Sequence, residues 1–339
     1  LFFLKHKTAY EIPLRLVGSE MCIRDSSWAA RPPLNKKTGL SNIQECLKAT
    51  QFNSDFIIRN RLGKTKYLNV LQGSDDLEAD LWYDEVKHLP FEGWAMGGNN
   101  MQDMKLFLRR MINLRDDKLL EKGERDLIHV LGTGLLEWSV MLTAVKRKLR
   151  ETVNSDLEIM FDCASPFLAT AYGQMYTQHV HQNDRFSYIM DKALDNKSLA
   201  ESKIPLPWTS PIAERLNMGD ICWYKPGMLN KLGKEGKTSW DSFSYAIQMA
   251  HNVWSHINAV QEANRQYDNG ITPAMLIDES FDRILFRDVV EAIFATSNRD
   301  EAEAVIEEFS KFWMSIIGTR GATGKKTVNA QTKFGELFE

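Results

Sequence analysis

Four apolar runs, each of strand length and each ending in small or polar residues, constrain the fold of this chain more than any other feature. They are Tyr67-Leu68-Asn69-Val70-Leu71, Gly93-Trp94-Ala95-Met96, Leu127-Ile128-His129-Val130-Leu131 and Leu157-Glu158-Ile159-Met160-Phe161. The residues that end them are Gln72-Gly73, Gly97-Gly98, Gly132-Thr133-Gly134 and Asp162-Cys163. Runs this compact suit strands buried on both faces of a parallel sheet.

Helical stripes separate the runs. Leu77, Leu81, Trp82 and Val86 recur at helical spacing after the first. Met101, Met104, Phe107, Leu108, Met111 and Ile112 follow the second. Leu135, Trp138, Met141, Leu142, Val145 and Leu149 follow the third. The order β-α-β-α-β-α-β implies right-handed crossovers and a parallel sheet, hence an α/β fold. Four such units make half of an eight-unit barrel or most of a doubly wound sheet, and periodicity alone does not choose between them.

The remainder divides by composition. Residues 27–165 carry the β/α units. Over 166–239 the pattern breaks, punctuated by Pro205, Pro207, Pro211 and Pro226 with Trp208, Trp223 and Tyr224 between them, and an irregular insertion is expected. Residues 240–317 read as helices. A long amphipathic one carries Phe243, Ala246, Ile247, Ala250, Val253, Trp254, Ile257 and Val260 on one face, and shorter ones cover about 284–294 and 300–316. A polar tail fills 318–339. The stretch from Leu16 to Ser26 resembles a translated sequencing adapter, so 1–26 are expected to be a non-native leader, with the natural N-terminus missing.

Composition narrows the class. No run approaches the roughly 18 apolar residues of a membrane span. A net charge of -3 gives no global attraction to nucleic acid, so any such contact needs a local basic patch. Cys22, Cys46, Cys163 and Cys222 are widely spaced without a Cys-x-x-Cys pair, which fits a reducing cytoplasm rather than a disulfide scaffold.

Ligands of parallel α/β folds bind where strands end and backbone groups are unpaired. Gln72, Gly97, Gly98, Gly132 and Asp162 all stand there. A glutamine can donate to and accept from a flat heterocycle, and glycines let such a ring approach the backbone. A carboxylate directly after a buried strand is a candidate nucleophile or base. Singly, each has a plain explanation: a turn glycine or a helix N-cap.

In succession these strand ends resemble the tRNA-guanine transglycosylase family. Its members show Val-Gln-Gly, Gly-(Tyr/Phe)-Ala-Ile-Gly-Gly, Leu-Met-Gly-Val-Gly and Met-Phe-Asp-Cys strand ends, in that order. Here the counterparts are Val70-Leu71-Gln72-Gly73, Gly93-Trp94-Ala95-Met96-Gly97-Gly98, Val130-Leu131-Gly132-Thr133-Gly134 and Met160-Phe161-Asp162-Cys163. The resemblance covers about 67–166 and continues weakly to about 266 through His251-Asn252. It looks most like a viral or environmental branch, which would place the protein in a host cytoplasm.

The resemblance implies the C-terminal half of a (β/α)₈ TIM barrel and a base exchange in which guanine in tRNA, or in DNA, is replaced by a 7-deazaguanine. Asp162 matches the nucleophile that attacks the ribose C1′ and holds the sugar covalently, so that one hard displacement becomes two easier ones. Gln72 and Gly98, beside Gly97, match positions that read the base edge, while Leu131 and Gly132 match the floor and backbone contact of the base pocket. The target base must leave its stack. A homodimer is also implied.

Three departures stand out. The family's acid/base and base-recognising aspartates belong to earlier strands, which this chain does not contain, so catalytic incompleteness is expected. The family zinc cluster is reduced to Cys222, with His179-Val180-His181 as weak company, and one thiolate cannot close a tetrahedral site, so no cofactor is expected. The family Pro-Thr-Arg after the nucleophile is Pro166-Phe167-Leu168. The alternative to an enzyme is a non-catalytic barrel subunit that binds nucleic acid or an active paralogue. Gly132-Thr133-Gly134 lacks the third glycine of a dinucleotide fingerprint, and Gly324-Lys325 fails the P-loop spacing. The Lys146–Arg150 run reads as a solvated helix face.

Overall fold

The computed structural model describes residues 27–62, 65–123, 125–223, 239–279 and 283–319. The expected leader lies outside them, as does the tail beyond 319. Two compact units divide the chain. The first comprises 27–133, 142–162 and 278–319, and the second 134–141 and 163–277.

After two single helical turns, at Ser27–Ala30 and Asn35–Thr38, the first unit continues with helix α1 (Ile43–Asn60), capped by Asn42, whose side chain accepts the Glu45 N–H. Four strands follow, β1 (Asn69–Leu71), β2 (Trp94–Met96), β3 (Leu127–Val130) and β4 (Glu158–Phe161), separated by α2 (Asp76–Val86), α3 (Met104–Asp116) and α4 (Leu136–Thr152), whose residues 136–141 count with the second unit. The strands pair in sequence order and all in parallel. The expected β/α alternation and parallel sheet are therefore present. Among the described residues the sheet stays open, with β1 and β4 at its edges.

Asn69 and Trp82 anchor the β1 edge. The buried Asn69 amide donates to Val86 O and Leu89 O at 3.1 and 3.2 Å. The Trp82 indole donates to Val70 O at 2.9 Å, occupying a carbonyl of an edge strand. Burial on both faces holds only for β2. Leu71, Trp94, Met96, Ile128, Val130 and Ile159 form the buried side. On the other, by strand alternation, lie Val70, Ala95, His129 and Met160, and Met160 is 45% exposed.

The stripe expected on α2 is displaced: Leu77 and Leu81 are exposed, while Ala79, Trp82, Tyr83 and Val86 are buried. After residue 278 the unit is completed by α7 (Phe286–Phe294), α8 (Arg299–Glu308) and α9 (Ser310–Thr319). The second expected C-terminal helix is thus two, parted at Phe309, and α9 runs two residues into the expected tail. α8 and α9 pack against α3.

In the second unit the region read as irregular begins with regular structure: α5 (Ser165–Ala171) and an antiparallel hairpin of β5 (Gln174–His181) and β6 (Phe186–Lys192). The proline-rich part follows as short turns to Trp223. The long helix α6 spans Ser242–Asp268, capped by Asp241. Its buried face follows the apolar stripe only at Ile247. Phe243 and Ile257 are exposed, whereas Gln248, His251, Asn252 and His256 are buried beside Ile247, Ala259 and Ala263. Hydrogen bonding explains this inversion. Asn252 Nδ2 donates to Pro166 O, Thr170 Oγ1 and Gln174 O, and its Oδ1 accepts the Tyr176 N–H. His251 bridges Ser210 Oγ and Tyr176 O. α6 is held to α5 and β5 by polar groups that satisfy loop and edge-strand backbone.

Candidate active site at the strand carboxyl ends

Register aligns Leu71, Met96, Val130 and Phe161 across the sheet. The next residue on each strand is Gln72, Gly97, Leu131 and Asp162, so four of the six expected site residues form one row along the carboxyl edge. Gly98 and Gly132 stand one position beyond. At the usual strand spacing the row spans about 14 Å from Gln72 to Asp162. The expected residues thus share one edge of one sheet but form two groups.

The first group is a tight backbone nest. Gly97 N–H donates to Leu71 O, and Asn99 N–H to Gly73 O, each at 2.8 Å. Gly98 has a φ of 55°, and a Cβ there would lie 2.4 Å from Gly73 O. Only glycine fits that combination without moving backbone. Gln72 is 4% exposed, and its amide lies over Gly97, where a Cβ would come within 2.7 Å of Nε2. Asn100 Nδ2 donates to Gln72 O and Gly97 O and fixes this turn. Gln72 Oε1 and Asn100 Oδ1 are buried without a hydrogen-bond partner. Such acceptors suit donors on the edge of a polar ring.

The second group surrounds Asp162. Its Oδ1 accepts from His129 Nε2 at 2.9 Å and from the Gly132 N–H at 3.3 Å. A carboxylate only accepts, so Nε2 carries the histidine proton. Gly132, with a φ of 67°, turns its amide toward this oxygen. Leu131 N–H donates to Met96 O at 3.2 Å. The Asp162 side chain is 56% exposed. Its carboxyl is held below the ordinary carboxylate range, chiefly by the His129 hydrogen bond, against some desolvation and with help from the Gly132 amide. The group is an ionised, accessible carboxylate with one oxygen anchored, and it can serve as a nucleophile or as a base.

His129 is the contact of Asp162 that sequence reasoning missed. Its signal was parity: on β3 it alternates with the buried Ile128 and Val130, and it pairs in register with Met160, two residues before Asp162 on the same face of β4. Thr133, buried with an unpaired hydroxyl, is a second unpredicted polar group at this edge.

Among the described residues no group of three or more His, Cys, Asp or Glu side chains is placed to hold a metal ion. His179 and His181 meet through their Nδ1 atoms at 3.3 Å, and Cys222 is fully buried with its thiol toward Leu194 O. These residues do not fit the zinc cluster of the resembled family. Residues of the basic run are ion-paired: Lys146 and Arg150 with Glu158, Lys148 with Glu151 and Glu291. Among the described residues no helix is long and apolar enough to cross a membrane. No protein-family model matches the chain, and no curated protein does.

Proposed function

We propose that this chain carries the nucleophile-bearing part of a base-exchange site that replaces guanine in a nucleic acid by a 7-deazaguanine. The observation that carries this reading is the row Gln72, Gly97, Leu131, Asp162, with an ionised carboxylate at one end and glycine backbone with an unpaired buried amide oxygen at the other. The sheet would then be the last four strands of a (β/α)₈ barrel.

In this reading Asp162 attacks the ribose C1′ as the guanine leaves, and an ester bond between Oδ and C1′ replaces the glycosidic bond. The second base attacks C1′ and releases the carboxylate. His129 and Gly132 keep Asp162 ionised and leave its second oxygen free to react. Gln72, Gly97 and Gly98 receive the base edge. The family's proton donor belongs to an earlier strand, and none of the residues in this row replaces it.

The test uses labelled guanine and a labelled 7-deazaguanine, offered with tRNA and with duplex DNA to the protein. Label is expected in one nucleic acid, with loss of at least a thousandfold in Asp162→Asn. Absence of label from both would leave a nucleic-acid-binding subunit as the better reading.

A further inference from the structure

A separate set of groups lies in the second unit. Cys163 Sγ is 3.5 Å from His256 Nε2, and His256 Nδ1 is 2.8 Å from the Tyr188 hydroxyl. The His256 ring also stacks on Tyr188, at 5.4 Å between centroids and 16° between planes, and Tyr188 stacks in turn on Tyr176. His256 is 9% exposed, so its position is fixed by packing on α6. Cys163 is partly accessible, whereas Cys46 and Cys222 are fully buried.

From this geometry we infer that Cys163, His256 and Tyr188 form a nucleophile, base and orienting group, and that Cys163 is a modification site for small-molecule disulfides. A thiol within reach of an imidazole whose other nitrogen is tied down is the general signature of an activated nucleophile. Burial pushes the His256 imidazole toward its neutral form and keeps the Tyr188 phenol protonated. With the proton on Nδ1 directed to the Tyr188 oxygen, Nε2 presents its lone pair to the thiol.

The chemistry closes. His256 Nε2 takes the Cys163 thiol proton as Sγ attacks one sulfur of the disulfide. A new S–S bond forms, the old one breaks, and the departing thiolate takes the proton from His256. Cys163 is oxidised to a mixed disulfide and the reagent is reduced to one thiol. None of the three residues belongs to the base-exchange row, so this inference stands without it.

The experiment uses the full chain carrying Cys22→Ser, with iodoacetamide at pH 7, peptide mapping and glutathione disulfide as the second reagent. An ordinary thiol is only about 3% ionised at that pH, leaving roughly thirtyfold room for activation. Cys163 in the native chain is expected to be alkylated at least tenfold faster than the same cysteine in urea. His256→Gln should abolish that advantage. Tyr188→Phe, which keeps the ring stack, should reduce it severalfold and keeps the test decisive if His256→Gln does not fold. Glutathione disulfide should yield one mixed disulfide, at Cys163. A native rate no faster than the unfolded rate, or a rate unchanged in folded His256→Gln, overturns the inference.

Discussion

Two adjacent glycines at the end of β2 should respond differently to one added methyl group. At Gly98 the new Cβ would lie 2.4 Å from the Gly73 carbonyl oxygen, 3.0 Å from its nitrogen and 3.2 Å from its carbonyl carbon. All three are backbone atoms, and Gly73 is itself pressed against Ala79. The φ of 55° adds a left-handed penalty of about 1 kcal/mol for alanine. Displacing packed backbone adds about 1–3 kcal/mol. The lower entropy of the unfolded alanine chain returns about 0.4–1 kcal/mol. Gly98→Ala should therefore cost about 1–3.5 kcal/mol. At Gly97 the backbone is extended, with φ -118° and ψ 178°, and the nearest atoms belong to the far end of the Gln72 side chain. That amide can rotate, so Gly97→Ala should cost about 0–1.5 kcal/mol but turn Gln72 away from its position.

Urea denaturation of both variants measures the difference, with amide exchange at Asn99 as the local reporter because its N–H binds Gly73 O. Exchange at Asn99 should accelerate only in Gly98→Ala. If base exchange operates as proposed, Gly97→Ala should fold and bind the incoming base at least tenfold more weakly. Equal stability of the two variants, or a Gly98→Ala cost below about 1 kcal/mol, would refute the geometry assigned to this turn.

Two further outcomes are expected. His129→Leu should bring the Asp162 pKa back up toward its ordinary 3.8, followed by carboxyl NMR titration, and an unchanged titration would count against the contact. Because the folded value is depressed, the pair contributes stability above pH 3.8 and loses it as pH falls through the folded value; with a half-exposed carboxylate that contribution is at most ~1 kcal/mol. Asn252→Ala should destabilise the second unit by about 3–4 kcal/mol in urea unfolding, since three buried hydrogen bonds and one part-buried one are lost and their partners stranded; a cost under 1 kcal/mol would be the contrary result.

The parallel sheet was legible because its strands are short, apolar and closed by glycine or polar residues, and such punctuation survives without knowledge of tertiary contacts. Which face is buried was less legible. On α6 the apolar spacing pointed to Phe243 and Ile257, yet the helix buries Asn252 and His251, because much of the surface it meets there is backbone carbonyl and amide. On α2 the two leucines at the expected spacing face outward, and Tyr83 takes the place inside, its hydroxyl donating to Asp117. The β5–β6 hairpin was masked by the prolines that follow it, although Phe186 and the tyrosines at 176 and 188 suit strands. α1 lacks a clean stripe: Phe52 and Phe56 are exposed and Thr50 and Ser54 buried, so apolar periodicity gave no sign of it. The six expected residues were picked by their place at strand ends, and they do lie along one edge of the sheet. The His129–Asp162 contact joins residues 33 apart and needed the strand register to be seen.

The interleaving of the two units carries a consequence for biosynthesis. The sheet-bearing unit is closed by α7 to α9, the last helices described, and Asp117 waits 182 residues for its partner Arg299. At ribosomal rates of about 5–20 residues per second that wait is on the order of 10–40 s. Throughout it, the surface of α3 that receives α8 and α9 has no such cover on the nascent chain.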